Sequence, residues 1–153
     1  MKRPKIISGG QTGVDQGALD FALDNNFECG GYCPKGRLCE LGTIPFKYPV
    51  IEIESEEYTD RTKENVLEAD ATLIIKDHLD LNEGTKETIE FCEQFSKPYL
   101  IVDADSTFNA GYPFRRWIVE NKVKILNVAG NRQSDNIYIR GKAYLLLIKL
   151  FDI

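Results

Sequence analysis

Five short runs of β-branched and aliphatic residues, separated by stretches of helical period, constrain this chain more than any other feature. The runs are KIIS at 5–8, VIEIE at 50–54, ATLIIK at 71–76, YLIVD at 99–103 and KILNVA at 124–129. Helical period covers Val14 to Asn26, Tyr58 to Ala69, Thr85 to Ser96, Phe114 to Asn121 and a last segment ending at Phe151. In the first of these Val14, Ala18, Phe21 and Ala22 share a face, and in the last Tyr144, Leu147, Ile148 and Phe151 do. Strand and helix in alternation predict an α/β fold of three layers, a mostly parallel sheet of about five strands with helices on both faces. ATLII, YLIV and KILNV are nearly continuous in apolar character, as strands covered on both sides are. VIEIE alternates, placing Glu52 and Glu54 on one face, and is expected at a sheet edge.

With 153 residues, 42% apolar and 28% charged, the chain reads as one domain over 1–153. At this size about 68–70% of the extended surface is buried on folding, enough for a core without staples. No repeat and no Gly/Ser-rich or Pro-rich linker divides it. One stretch, at about 28–49, has neither period: ECGGYCPKGRLCELGTIPFKY reads as an irregular excursion, and excursions of this length usually carry function. A formal charge of −5 with no basic run argues against nucleic acid as the main partner. Only Ile6 and Ile7 form an apolar run near the basic start, too little for a secretory segment. Ala143 to Ile148 closes at Lys149, far short of the roughly 20 residues of a membrane span. A cytoplasmic protein without a membrane partner is expected, with Cys29, Cys33, Cys39 and Cys92 as free thiols.

Candidate ligand chemistry begins at SGGQTGVDQGALDFAL, where a strand runs into Gly9, Gly10 and Gly13 and then into an amphipathic helix. Glycines let backbone approach a ligand, and the free amides of a first helical turn favour an anion. Gln11 and Thr12 add side-chain donors, although a T-x-x-D capping box from Thr12 to Asp15 is the plainer reading. The loop is neither a Walker motif nor a strict G-x-G-x-x-G, which disfavours an ATPase or an NAD dehydrogenase. A second junction follows ATLIIK, with Gly84 and Thr85 at the mouth of another helix, or with Thr85 as a simple N-cap. A third is NVAGNRQSDN, where Gly130 and Arg132 repeat the pattern with a positive charge. In a doubly wound sheet all three loops lie beyond the carboxyl ends of strands, where ligands bind.

Taken together, SGGQTGVDQGALDFAL, GGYCPKGR, YTDRTKENVLEADATLII and EGTKET resemble the molybdenum-cofactor carrier family, the circularly permuted YpsA-like branch of the SLOG superfamily. The resemblance runs from Lys5 through NVAGNR and implies a Rossmann-like fold that carries or senses a phosphorylated nucleotide-like or molybdopterin-like ligand. A nucleotide or the molybdenum cofactor would then be the bound species. It places Gly9, Gly10, Gln11, Thr12 and Gly13 in the first anion loop, Gly84 and Thr85 in the second, and adds Lys35, Gly36, Arg61, Thr62 and Asn65. Arg61 and Asn65 are i, i+4 neighbours on one helix face. The related LONELY GUY type phosphoribohydrolases have a glutamate in a Gly-Gly-x-Gly-Thr-x-x-Glu loop; here Thr88 stands in its place, with Asn82 and Glu83 where glycines would be. Thr88 cannot replace a carboxylate as acid or base. Glu87 and Glu90 are turned about 100° and 200° away on the helix. Binding is therefore favoured over catalysis. The alternative is a nucleotide-processing enzyme of phosphoribohydrolase type using Asp15, Glu87 or Glu90.

The remaining residues offer less. Cys29, Cys33 and Cys39 lack paired C-x2-C spacing and His78 is the only histidine, so no metal site is expected. Asp103 and Asp105 read as a turn and a cap for the helix near Phe114. Tyr112, Phe114 and Trp117 in GYPFRRW read as core or as the contact of a homo-oligomer.

Overall fold

The computed structural model describes residues 1–153. The chain order is β1 (Lys5–Ile7), α1 (Val14–Asp24), β2 (Cys29–Gly30), β3 (Tyr32–Cys33), β4 (Leu38–Cys39), β5 (Gly42–Thr43), β6 (Ile51–Glu52), α2 (Tyr58–Glu68), β7 (Ala71–Lys76), α3 (Glu83–Gln94), β8 (Tyr99–Asp103), α4 (Gly111–Glu120), β9 (Ile125–Gly130) and α5 (Ile139–Phe151). Five strands form one parallel sheet in the order β2-β1-β9-β7-β8. Its register sets Ile6 beside Leu126, Leu73 beside Val128 and Leu100, and Thr72 beside Asn127. Helices cover both faces, giving the three-layer α/β architecture that the alternation predicts and the Rossmann-like fold that the resemblance implies.

The two faces differ. On one, α1, α4 and α5 pack together over Ile6, Leu73, Ile75, Leu126 and Val128 in a 20-residue apolar cluster. Phe21, Phe27, Phe114 and Phe151 meet there with ring centroids 5.0–5.7 Å apart. On the other face, α2 packs on α3 over Thr72 and Asn127, whose Nδ2 lies 3.3 Å from Thr72 Oγ1. Thr62, Asn65, Thr85 and Thr88 are also buried.

Several sequence expectations need correction. VIEIE is not the edge of the main sheet: only Ile51–Glu52 is strand, paired in parallel with Tyr32–Cys33, and the edge is Cys29–Gly30 from the excursion. The excursion is also not irregular throughout. Arg37 organises it by donating to the carbonyls of Ile44, Pro45, Tyr48 and Val50 at 2.9–3.2 Å. Beneath it Leu19, Cys33, Cys39, Ile44, Tyr48 and Val50 form a second small core. At the opposite edge Ile101 of β8 is exposed, so YLIV is covered less completely than its composition predicts. Asp103 makes a turn by accepting the Asp105 amide at 2.8 Å, but neither caps α4; Asn109 Oδ1 accepts the Gly111 amide at that helix start. No helix is long and apolar enough to cross a membrane.

Candidate functional site

Strand order determines where the three glycine-bearing loops go. β9 lies between β1 and β7, and the chain leaves β1 outward to β2 and β7 outward to β8. The loops after β1 and β7 therefore diverge above β9, the crevice in which doubly wound sheets bind ligands. A cleft of about 50 Å³ opens there. Gln11 and Asp15 line it from the first loop and α1, Tyr58, Arg61 and Thr62 from α2, and Gly130 and Arg132 from the end of β9. Gly84, Thr85, Glu87 and Thr88 close it from α3. A deeper void of about 10 Å³ continues to Gly9, Asn65 and Asn127.

Gly10 and Gly13 of the first loop both have positive φ, 76° and 82°, a conformation that side chains rarely adopt. A Cβ on Gly13 would collide with the backbone of Asn131 and Arg132, so the first and third loops touch. A Cβ on Gly9 would displace the Arg61 guanidinium, which packs against that backbone. Gly84 differs: its Cβ would meet only Asn82 Oδ1, at 3.7 Å. Asn82 is the N-cap of α3, its Oδ1 accepting from the Thr85 amide and Thr85 Oγ1 at 2.8 Å, so Thr85 is capped and is not the cap. The Thr12–Asp15 capping box does not form either. Gly13 is the N-cap residue of α1, and Asp15 Oδ2 accepts the Gln11 amide at 3.1 Å.

Some hydrogen-bond donors around the cleft are already used, and others are left over. Gln11 Oε1 accepts the amides of Thr12 and Glu40 at 3.1 and 2.9 Å. Its Nε2 is buried with no partner. Arg61 Nη1 lies 3.5 Å from Asp15 Oδ2, both side chains being nearly enclosed, while Arg61 Nε is buried and unpartnered. Orphaned buried donors are rare and costly, about 1–3 kcal/mol each, so two in one cleft call for an acceptor. Arg132 sits 5.1 Å from the Tyr58 ring centroid and Arg61 5.6 Å, which brings two guanidiniums over one aromatic ring. The Gly9, Gly10, Gly13, Glu83 and Gly84 amides have no intramolecular acceptor.

The acids around the cleft are tuned in opposite directions. Burial pushes the Asp15 carboxyl above its usual value, and Arg61 and the Gln11 amide offset this only in part. Glu40, from the β4–β5 turn of the excursion, is pushed up by burial. Hydrogen bonds from Ser134 and Thr12 outweigh that, and its carboxyl is held below the ordinary range. Glu40 accepts from Thr12 Oγ1 and from the Ser134 amide and hydroxyl, at 3.1 and 2.6 Å for the latter two. This ties the excursion across the first and third loops. Thr12 is thereby turned away from the cleft, and Gln133 donates its amide to Thr12 Oγ1 at 3.2 Å.

The other sequence candidates are placed as follows. Asn65 clamps the excursion, its amide bonding both Tyr32 N and Tyr32 O at 2.8 and 2.9 Å. Lys35 and Gly36 lie outside the cleft, the Lys35 amide on Ser55 O and the Gly36 amide on Glu52 Oε1. Gly10 lies under Ile44. Glu87 reaches the rim of the cleft, while Glu90 is exposed elsewhere on α3. Sequence reasoning missed Tyr58 and Glu40 as parts of this region. Tyr58 opens the predicted helix and Glu40 lies in a segment without period, so neither stood out by pattern. No three His, Cys, Asp or Glu side chains gather in a way that could hold a metal ion.

This crevice belongs to a Rossmann-like protein, and the chain is a member of the circularly permutated YpsA SLOG family, whose model matches residues 6–151. It is similar to the crystal structure, at 1.45 Å resolution, of a protein from Syntrophus aciditrophicus SB named "Putative molybdenum carrier protein". The identity is 39% over 97% of this chain and 95% of that one, with a TM-score of 0.89. No curated protein matches the chain.

Proposed function

We propose that this protein is a cytoplasmic carrier or sensor that binds a phosphorylated nucleotide-like or molybdopterin-like molecule, with the oxyanion head of the ligand in the cleft. The observation that carries this reading is the pair of buried, unpartnered donors, Gln11 Nε2 and Arg61 Nε, beside an Arg132 guanidinium that makes no ion pair. Donors without matching acceptors suit a phosphate or molybdate oxygen and not a bare cation. A cleft of about 50 Å³ has room for the head alone, so a base or pterin would lie along the rim beside Tyr58.

Calorimetry with inorganic phosphate, molybdate, nucleoside monophosphates and a phosphorylated pterin tests the proposal. A member of this panel should bind, and Arg132→Ala should weaken it about 10–100-fold, the equivalent of one charge-assisted hydrogen bond of about 1.5–3 kcal/mol. No binding by any of the four overturns it. The buried Asp15 in the same cleft supports a second reading, cleavage of an N-glycosidic bond. Release of free base from a nucleoside monophosphate, abolished in Asp15→Asn, would favour that reading.

A further inference from the structure

A basic groove lies at the opposite end of the sheet from the cleft. Lys2, Arg3 and Lys5 enter β1, and Lys122 and Lys124 enter β9, so all five cations surround the amino ends of these strands. They line a groove of about 550 Å³ in which Glu28 is the single acid. None of the five is in an ion pair, whereas seven other Lys and Arg side chains are. Arg3 is partly engaged, donating to Asn25 O at 2.8 Å and lying 4.6 Å from the Phe27 centroid. The four lysines are left to solvent or to a partner. An overall charge of −5 therefore conceals a local concentration of positive charge created only by the fold.

The floor of the groove is apolar, made of Pro4, Phe27, Ile118 and Val123. It continues through Met1 and Val119 into a second groove of about 530 Å³ along α4, beside Tyr112, Arg115 and Arg116. Tyr112 and Val119 are 67% and 60% exposed, seven residues apart on one helix face. The GYPFRRW segment thus divides: Phe114 enters the core, while Tyr112 faces outward next to the basic end. Arg116 is paired with Glu120 beside that second groove, so the free charge lies at the strand ends, and an apolar strip bordered there by unpaired lysines is complementary to a segment with acidic residues around one or two apolar anchors.

We infer that this groove docks an acidic segment of a partner protein, anchored by an apolar side chain against the exposed Tyr112 and Val119. Docking at the amino ends of the strands leaves the cleft at their carboxyl ends open, so a partner could be engaged while a ligand is held. The inference does not depend on what the cleft binds.

The test uses the full chain and a fluorescein-labelled 14-residue peptide of Asp and Glu with a central Phe-Leu pair. Two control peptides have the acids changed to Asn and Gln, or the Phe-Leu pair changed to Ala-Ala. Anisotropy titrations should show binding of the parent peptide, at least tenfold weaker binding of each control, and weakening as sodium chloride rises from 50 to 300 mM. Lys122→Asn/Lys124→Gln, which removes two charges and keeps a residue tolerant of positive φ at 122, should weaken the parent peptide at least tenfold. Amide NMR shifts in the unmodified protein, independent of any variant, should fall on Asn26, Phe27 and Val119. Equal binding of parent and control peptides overturns the inference. So does tighter binding of a single-stranded oligonucleotide or of phosphatidylserine vesicles, or a set of amide shifts confined to another surface.

Discussion

The two faces of the sheet perform different tasks with the same strands. Toward α1, α4 and α5, Ile6, Leu73, Ile75, Leu126 and Val128 meet a continuous apolar layer of four phenylalanines. Toward α2 and α3 the same strands present Thr72 and Asn127, and the helices answer with Thr62, Asn65 and Thr88. Apolar packing on the first face supplies most of the driving force for folding. A second face with buried polar groups can then be maintained. The cleft opens at the end of that side, lined by Thr62, Thr85 and Thr88.

Substitutions on the two faces should behave differently, beginning with the apolar side. Phe21→Ala removes a ring that touches Phe27 and Phe151 and should cost about 3–5 kcal/mol, read as a lower denaturant midpoint. On the polar side, Arg61→Ala leaves the buried Asp15 without its ion-pair partner and should cost about 3 kcal/mol. Adding Asp15→Asn to Arg61→Ala should recover most of that loss, whereas combining Asp15→Asn with Phe21→Ala should recover nothing. A result in which the two pairs behave alike would break the contrast between the faces.

Protonation sharpens the same comparison. The native pKa of Asp15 is raised from 3.8, so the folded protein holds this proton more tightly than the unfolded chain. Its contribution to stability is complete below 3.8 and is lost as pH rises through the native value. Asp15→Asn should accordingly flatten the decline in stability over that rise. Glu40, lowered from 4.5, has the opposite sign: its contribution is present above 4.5 and is lost as pH falls through the native value. Glu40→Gln should cost about 1 kcal/mol at neutral pH and reduce the acid sensitivity of the excursion, measured by hydrogen exchange at residues 37–44. The smallest effect is expected at Gly84, where a Cβ meets nothing closer than 3.7 Å. Gly84→Ala should be neutral or stabilise by up to about 1 kcal/mol through helix propensity, read as a thermal midpoint at or above that of the parent.

Periodicity made the body of the fold legible. Helices α1 to α5 and strands β7, β8 and β9 fall where apolar spacing puts them, because each is long enough to repeat its pattern, while the three-residue β1 is marked by its apolar run into the glycine loop. The excursion was illegible for the same reason in reverse. Its strands are two residues long, and its order depends on Arg37 reaching four carbonyls across a loop, which leaves no trace in spacing. VIEIE misled because alternation reports one exposed face but does not identify the partner strand. At the cleft, the glycines and Arg61 were visible as a motif. The unpartnered Gln11 Nε2, the Glu40 tie and the Arg132–Tyr58 contact depend on side chains brought together across 28 or more positions, and no local pattern encodes them.

If the protein works as proposed, the cleft at the end of the polar face accepts an oxyanion through Gln11, Arg61 and Arg132. The most direct measurement is a two-dimensional ¹⁵N–¹H NMR titration of the full chain with phosphate and, separately, with molybdate, resolving the Gln11 side-chain amide and the Arg61 Nε–H. These two signals and the amides of Gly9, Gly13 and Gly84 should move together and saturate. Signals that stay still, or that move only at Lys5, Lys122 and Lys124 on the opposite end of the sheet, would contradict the proposal.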